Sequence, residues 1–118
     1  MKNKLKTTKQ IVKKISELML DKKAFDIKII NVNKLTTLTD VFIVCSSSSG
    51  PQTKAISGHI KDELTKYGIK PGHVEGYENL KWILMDYINI IVHIFDKESR
   101  NYYNFERLWA DGDITTIN

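Results

Sequence analysis

Apolar and polar positions along this chain repeat with two different periods, and each change of period marks a new element. Ile11, Val12, Ile15, Leu18 and Met19 recur at i, i+1, i+4, i+7 and i+8, one apolar stripe of a helix. Thr7 or Thr8 can cap its start, and Lys22-Lys23 near its end suits the negative pole of the helix dipole. Phe25 to Val32 then alternates with a period of two, Asp26 and Lys28 pointing outward, and predicts a strand. Val41 to Cys45 is an unbroken apolar run, the pattern of a central strand covered on both faces. After four serines and Gly50, Pro51 fits a first helical position; Ala55, Ile56, Ile60 and Leu64 predict the inner face of a second helix, and Gly68 its stop.

The strongest signal lies between Glu75 and Phe95. Val74 opens a short edge strand, and Trp82 to Tyr87 and Ile90 to Phe95 follow as two strand-like runs separated only by Ile88 and Asn89. Aromatic and β-branched residues favour half-buried pleated backbone, so this is a hairpin with a tight turn. Trp82 and Leu84 fall on one face, and Ile83, Met85 and Tyr87 on the other. A sheet that is apolar on both faces needs cover on both, from its own helices or from a partner. Ser99 to Leu108 predicts a last helix or two short turns. The order α-β-β-α-β-β-β-α describes an α/β fold with a mixed sheet and helices.

At 118 residues the chain supports one domain, residues 1–118, with 42% hydrophobic and 27% charged positions. No apolar stretch is long enough to span a bilayer, and the Met1-Lys-Asn-Lys start lacks a signal-peptide core, so a cytoplasmic location is expected. Cys45 is the only cysteine, which rules out an internal disulfide framework. The net charge of +4 divides unevenly: residues 1–24 hold eight Lys against Glu17 and Asp21, whereas residues 75–118 hold four basic and eight acidic side chains. A Lys-rich arm and helix, residues 1–24, therefore precedes a mildly acidic body. Residues 112–118 are expected to be a frayed tail.

The candidate chemistry is thin. The serine loop before the second helix could cradle a phosphate, but nucleotidyl transfer needs two carboxylates holding a metal. Gln52, Thr53, Lys54 and Ala55 follow the loop, and Asp111-Gly112-Asp113, the only Asp-x-Asp, lies in the tail. His59, His73 and His93 are too scattered for metal-ligand spacing. Cys45 has no base near it in sequence. Neither metal nor cofactor is expected, and the chain reads as a non-enzyme. Lys2, Lys4 and Lys6 could touch RNA phosphates, which leaves a small RNA-binding module as one alternative and a residual nucleotidyltransferase as the other. Trp82, Asp86, Tyr87 and Tyr103 could be core and turn residues, or the anchors of a protein interface.

Several stretches carry a resemblance in matching order. They are Asp40-Val-Phe-Ile-Val-Cys45, Gln52 to Ile60 as QTKAISGHI, Glu75-Gly76, Trp82-Ile-Leu-Met-Asp86-Tyr87, Val92-His93-Ile-Phe95, and Arg100 to Asp111 as RNYYNFERLWAD. Together they span roughly residues 26–111 and resemble the Iojap family, the bacterial ribosomal silencing factors. The resemblance implies a nucleotidyltransferase-like fold without catalytic residues. It also implies binding to large-subunit ribosomal protein L-fourteen, with Trp82, Asp86, Tyr87, Tyr103 and Glu75 at the contact. Such binding would block association of the small and large ribosomal subunits and repress translation, and the free protein could form a homodimer. One departure stands out: Ile88-Asn89 replaces the family's usual Gly-Asp turn.

Overall fold

The stripe predicted near the start forms the first helix because both its ends and its face are satisfied. Thr7 is the cap: its hydroxyl accepts the Gln10 N–H at 3.1 Å, and the Gln10 side chain accepts the Thr7 N–H at 3.1 Å, a reciprocal capping box. The computed structural model describes residues 5–118, so Lys2 and Lys4 lie outside the described residues. Among the described residues the elements are α1 (Thr8–Asp21), β1 (Phe25–Asn31), β2 (Val41–Ser47), α2 (Gly50–Thr65), β3 (His73–Glu75), β4 (Trp82–Asp86), β5 (Ile90–Asp96), α3 (Lys97–Tyr103), α4 (Phe105–Leu108) and β6 (Asp113–Thr116).

One sheet runs in the order β3-β4-β5-β2-β1-β6. Its central pair, β2 with β5, is parallel, and the other pairs are antiparallel. The helix α2 lies in the connection between β2 and the hairpin, as a parallel crossover requires. Strand β2, predicted as covered on both faces, is buried at every position from Val41 to Ser47.

The two faces are covered unequally. On one, α1 and α2 set Ile15, Leu18, Met19, Ile56, Ile60 and Leu64 against Ile27, Ile43, Ile83, Met85, Val92 and Ile94. On the other, a smaller cluster joins Ile30, Val32, Phe42, Val44, Phe95 and Phe105, with Trp82, Ile91 and Trp109 only partly covered. Two short helices cannot roof a six-stranded sheet, and the β3–β4 end of this face stays open.

Several expectations need correction. The tail expected to fray contains β6, which pairs antiparallel with β1 from Lys28↔Thr116 to Asn31↔Asp113. All four β6 side chains are exposed, so the strand is held by main-chain hydrogen bonds and leaves no apolar pattern to read. The segment from Ser99 to Leu108 is two helices, broken where Asn104 takes φ 49°. Ala55 is exposed on α2, and Thr53 and Ser57 occupy the inner face instead. Tyr87 falls outside β4, in the turn.

Candidate partner interface

Register places the predicted residues. Glu75 lies opposite Leu84, which lies opposite His93; one row over, His73, Asp86 and Ile91 are aligned, and Trp82 faces Phe95. Successive side chains alternate between faces, so Glu75, Trp82, Leu84, Asp86 and Ile91 all belong to the less covered face. Trp82 stacks on Phe95, with ring centroids 4.8 Å apart and planes inclined by 26°. Tyr103 of α3 comes within 5.0 Å of the Trp82 ring and is 49% exposed. Trp82, Leu84, Asp86 and Ile91 are half-buried. The result is an apolar strip edged by two carboxylates.

Tyr87 does not join them. It packs with the α1–α2 core on the opposite face, and its buried hydroxyl has no hydrogen-bond partner among the described residues. Burial pushes that hydroxyl's pKa above its usual value. Its main chain shapes the turn: the Tyr87 N–H donates to the Ile90 carbonyl at 2.8 Å, and the Asn89 N–H donates to the Tyr87 carbonyl at 3.0 Å. The second bond closes a γ-turn on Ile88, which sits at φ 75° and is 74% exposed. The left-handed position thus falls on Ile88 rather than on Asn89. The Asp86 carboxylate accepts the Ile88 N–H, and Glu75 pairs with His73 at 3.0 Å in solvent.

The other candidate sites resolve into structure. In the serine loop, the Ser48 N–H donates to the Gln52 side chain, the Gln52 N–H to the Ser49 hydroxyl and the Thr53 N–H to the Ser49 carbonyl. Those donors are already engaged within the chain, as expected of a helix cap. Cys45 is buried, and burial pushes its thiol up to about 12 despite the opposing pull of Arg100, so it stays protonated. Among the described residues no group of three or more His, Cys, Asp or Glu is placed to hold a metal. Lys6 is exposed, and its N–H donates to the Gln10 side chain.

Sequence reasoning missed Arg100, 6% exposed, which ties the open face together. Its guanidinium donates to both Glu106 carboxylate oxygens at 3.2 Å, to the Ser46 hydroxyl at 2.9 Å and to the Asp26 carbonyl. That carbonyl sits in a β1 bulge where Asp26 has φ 51°. Burial alone would raise the Glu106 pKa, but the Arg100 hydrogen bonds and charge, helped by Lys28, hold it below the usual value. Trp109, also missed, packs on Phe42 at 4.9 Å. An arginine and a tryptophan on a short amphipathic segment were the only available hints.

Residues 5–118 match the model of a family described as ribosomal silencing factor during starvation. The chain belongs to that family. A ribosomal silencing factor from Bacillus subtilis is 34% identical over 92% of this chain and 92% of its own length, and one from Halalkalibacterium halodurans is 37% identical over 82% and 83%. The chloroplastic Iojap protein of Arabidopsis thaliana is 30% identical over 82% of this chain, which spans 40% of that longer relative. Among solved structures, a Chromobacterium violaceum protein superposes with a TM-score of 0.87 at 29% identity, covering 96% of this chain and 94% of its own. A Bacillus halodurans protein gives 0.80 at 31% identity, covering 94% and 99%. The mixed α/β sheet is therefore the family's fold. Among the described residues no helix is long and apolar enough to cross a membrane.

Proposed function

We propose that this chain binds the large ribosomal subunit through ribosomal protein L-fourteen and blocks association of the small subunit, thereby repressing translation. The observation that carries the proposal is the open strip of Trp82, Leu84 and Ile91, left half-buried beside Glu75 and Asp86. An aromatic anchor ringed by partly covered apolar side chains is the usual composition of a binding hot spot. The acidic balance of residues 75–118, with Glu75 and Asp86 at the edge of the strip, suits a basic partner. The action is steric exclusion; no bond is made or broken. The cytoplasm is the compartment where such a protein works. Self-association of the free chain would use the same strip and compete with the ribosome.

The test is a reconstitution. Purified large subunits are mixed with the protein, small subunits are added, and the mixture is sedimented. The expected result is loss of the joined particle and co-migration of the protein with the large subunit. Joined particles at the control level with saturating protein would overturn the proposal. Cross-linking from the Trp82 face should reach L-fourteen, and cross-links confined to ribosomal RNA would move the contact to the Lys-rich arm.

A further inference from the structure

His93 is buried, at 3% exposed, whereas His59 is half-buried and His73 exposed. Its ring is enclosed by Phe105 at 4.3 Å, Phe42 at 5.1 Å and Phe95 at 6.2 Å. Its Nδ1 lies 3.0 Å from the indole Nε1 of Trp82, its diagonal neighbour across the hairpin. An indole N–H can only donate, so Nδ1 must be the acceptor and carry no proton; the single proton of the neutral ring then sits on Nε2. Nε2 is buried with no hydrogen-bond partner among the described residues. A buried unpaired N–H is costly, and a phenylalanine would fill this aromatic box without that cost. What a histidine adds here is the acceptor at Nδ1.

We infer that His93 is a positioning residue: its Nδ1 holds the Trp82 indole in its stack on Phe95, presenting an already oriented aromatic face to the partner. The inference rests on the open face being the partner surface. A side chain fixed before binding loses less rotamer freedom on association than one that must be ordered by the partner. The lock uses a neutral histidine, because an imidazolium has no lone pair to accept the indole proton.

The experiment has two arms. In the first, affinity for isolated L-fourteen is measured for the wild type, His93→Leu, Trp82→Phe and the double variant. His93→Leu should weaken binding about tenfold, and in the Trp82→Phe background it should add nothing, because the hydrogen bond is already gone. His93→Gln, which restores an acceptor, should recover part of the loss. Losses that multiply independently, or His93→Leu binding like the wild type, would overturn the lock.

In the second arm, nitrogen NMR of the free protein should show Nδ1 bare and Nε2 protonated. The Trp82 indole proton, assigned by its disappearance in Trp82→Phe, should shift on His93→Leu and move back toward its wild-type position in His93→Gln. A proton on Nδ1, or an indole signal indifferent to His93, would overturn the proposal even if binding failed for other reasons. If the wild type does not bind L-fourteen at all, the partner assignment has failed, and the NMR arm still decides whether the indole is held.

Discussion

The Asp86 carboxylate accepts the Ile88 N–H at 2.7 Å and holds a β-branched residue at φ 75° in the hairpin turn. Asp86 therefore closes the turn, and the proposed function gives it a second role, facing a partner. Because Asn offers the same oxygen to the Ile88 N–H without the charge, it separates them. Asp86→Asn should melt within about 0.5 kcal/mol of the wild type yet bind L-fourteen more weakly, and Asp86→Lys should nearly abolish binding. Equal binding by Asp86→Lys would leave the carboxylate with the turn alone.

Ile88 gains little packing in return for its backbone, since its side chain is 74% exposed. A non-glycine residue held at positive φ costs on the order of 1–3 kcal/mol. Ile88→Gly should therefore raise stability by about 1 kcal/mol after the extra entropy of an unfolded glycine is deducted. Denaturant melts would show this as a higher midpoint at unchanged slope. A lower midpoint would mean that the Ile88 side chain contributes more than the strain it imposes.

Trp82→Ala removes a ring that touches Phe95, Tyr103 and Phe105 as well as one that faces outward. The variant should lose about 2 kcal/mol or more of binding energy, roughly thirtyfold in affinity. It should also lose on the order of 2 kcal/mol of stability while remaining folded, since the site is only half-buried. Circular dichroism run beside the binding assay separates the two. Complete unfolding would assign Trp82 to the core and withdraw it as an anchor.

Burial among aromatic rings lowers the His93 pKa from 6.5 to about 3. The unfolded chain takes up a proton below pH 6.5 that the folded chain refuses, so this residue's contribution falls as pH drops from 6.5 toward 3. The loss approaches about 1.4 kcal/mol per pH unit within that window. His93→Leu should flatten the stability profile by that slope relative to the wild type. Parallel profiles would show that His93 titrates normally and is not enclosed as described.

Arg100→Leu leaves the Glu106 carboxylate, the Ser46 hydroxyl and the Asp26 carbonyl without their shared donor. Breaking one partner of such a partly buried pair should cost about 3 kcal/mol. Thermal melts test the variant alone and with Glu106→Gln. The double variant should lose less than the sum of the two singles, because the pair is coupled. Simple additivity would mean that the ion pair contributes nothing of its own.

The hairpin was legible because aromatic and β-branched residues fill both runs and only Ile88 and Asn89 lie between Tyr87 and Ile90, which are hydrogen-bonded across the turn. Even the diagonal meeting of Trp82 with His93 follows from that loop length. Strand β6 was not legible: Asp113-Ile-Thr-Thr116 is exposed on both sides, and no side chain records which strand it joins. The environment of Arg100 was hidden for a different reason. Its partners come from a bulge in β1, the end of β2 and the helix α4, and no local period links these segments. Alternation already put Tyr87 on the face opposite Trp82, and only the family resemblance grouped the two as partner contacts; the sequence does not show that α1 and α2 cover the Tyr87 face.

The placement of β6 has a consequence for the order in which the fold can form during synthesis. Strand β1 emerges early, pairs with β2 along one edge and keeps its other edge bare until Asp113–Thr116 have been made. The parallel β2–β5 pair must likewise wait for the hairpin to arrive. A nascent chain of this kind exposes strand edges for most of its elongation, the state in which chaperone capture and misassociation compete with folding.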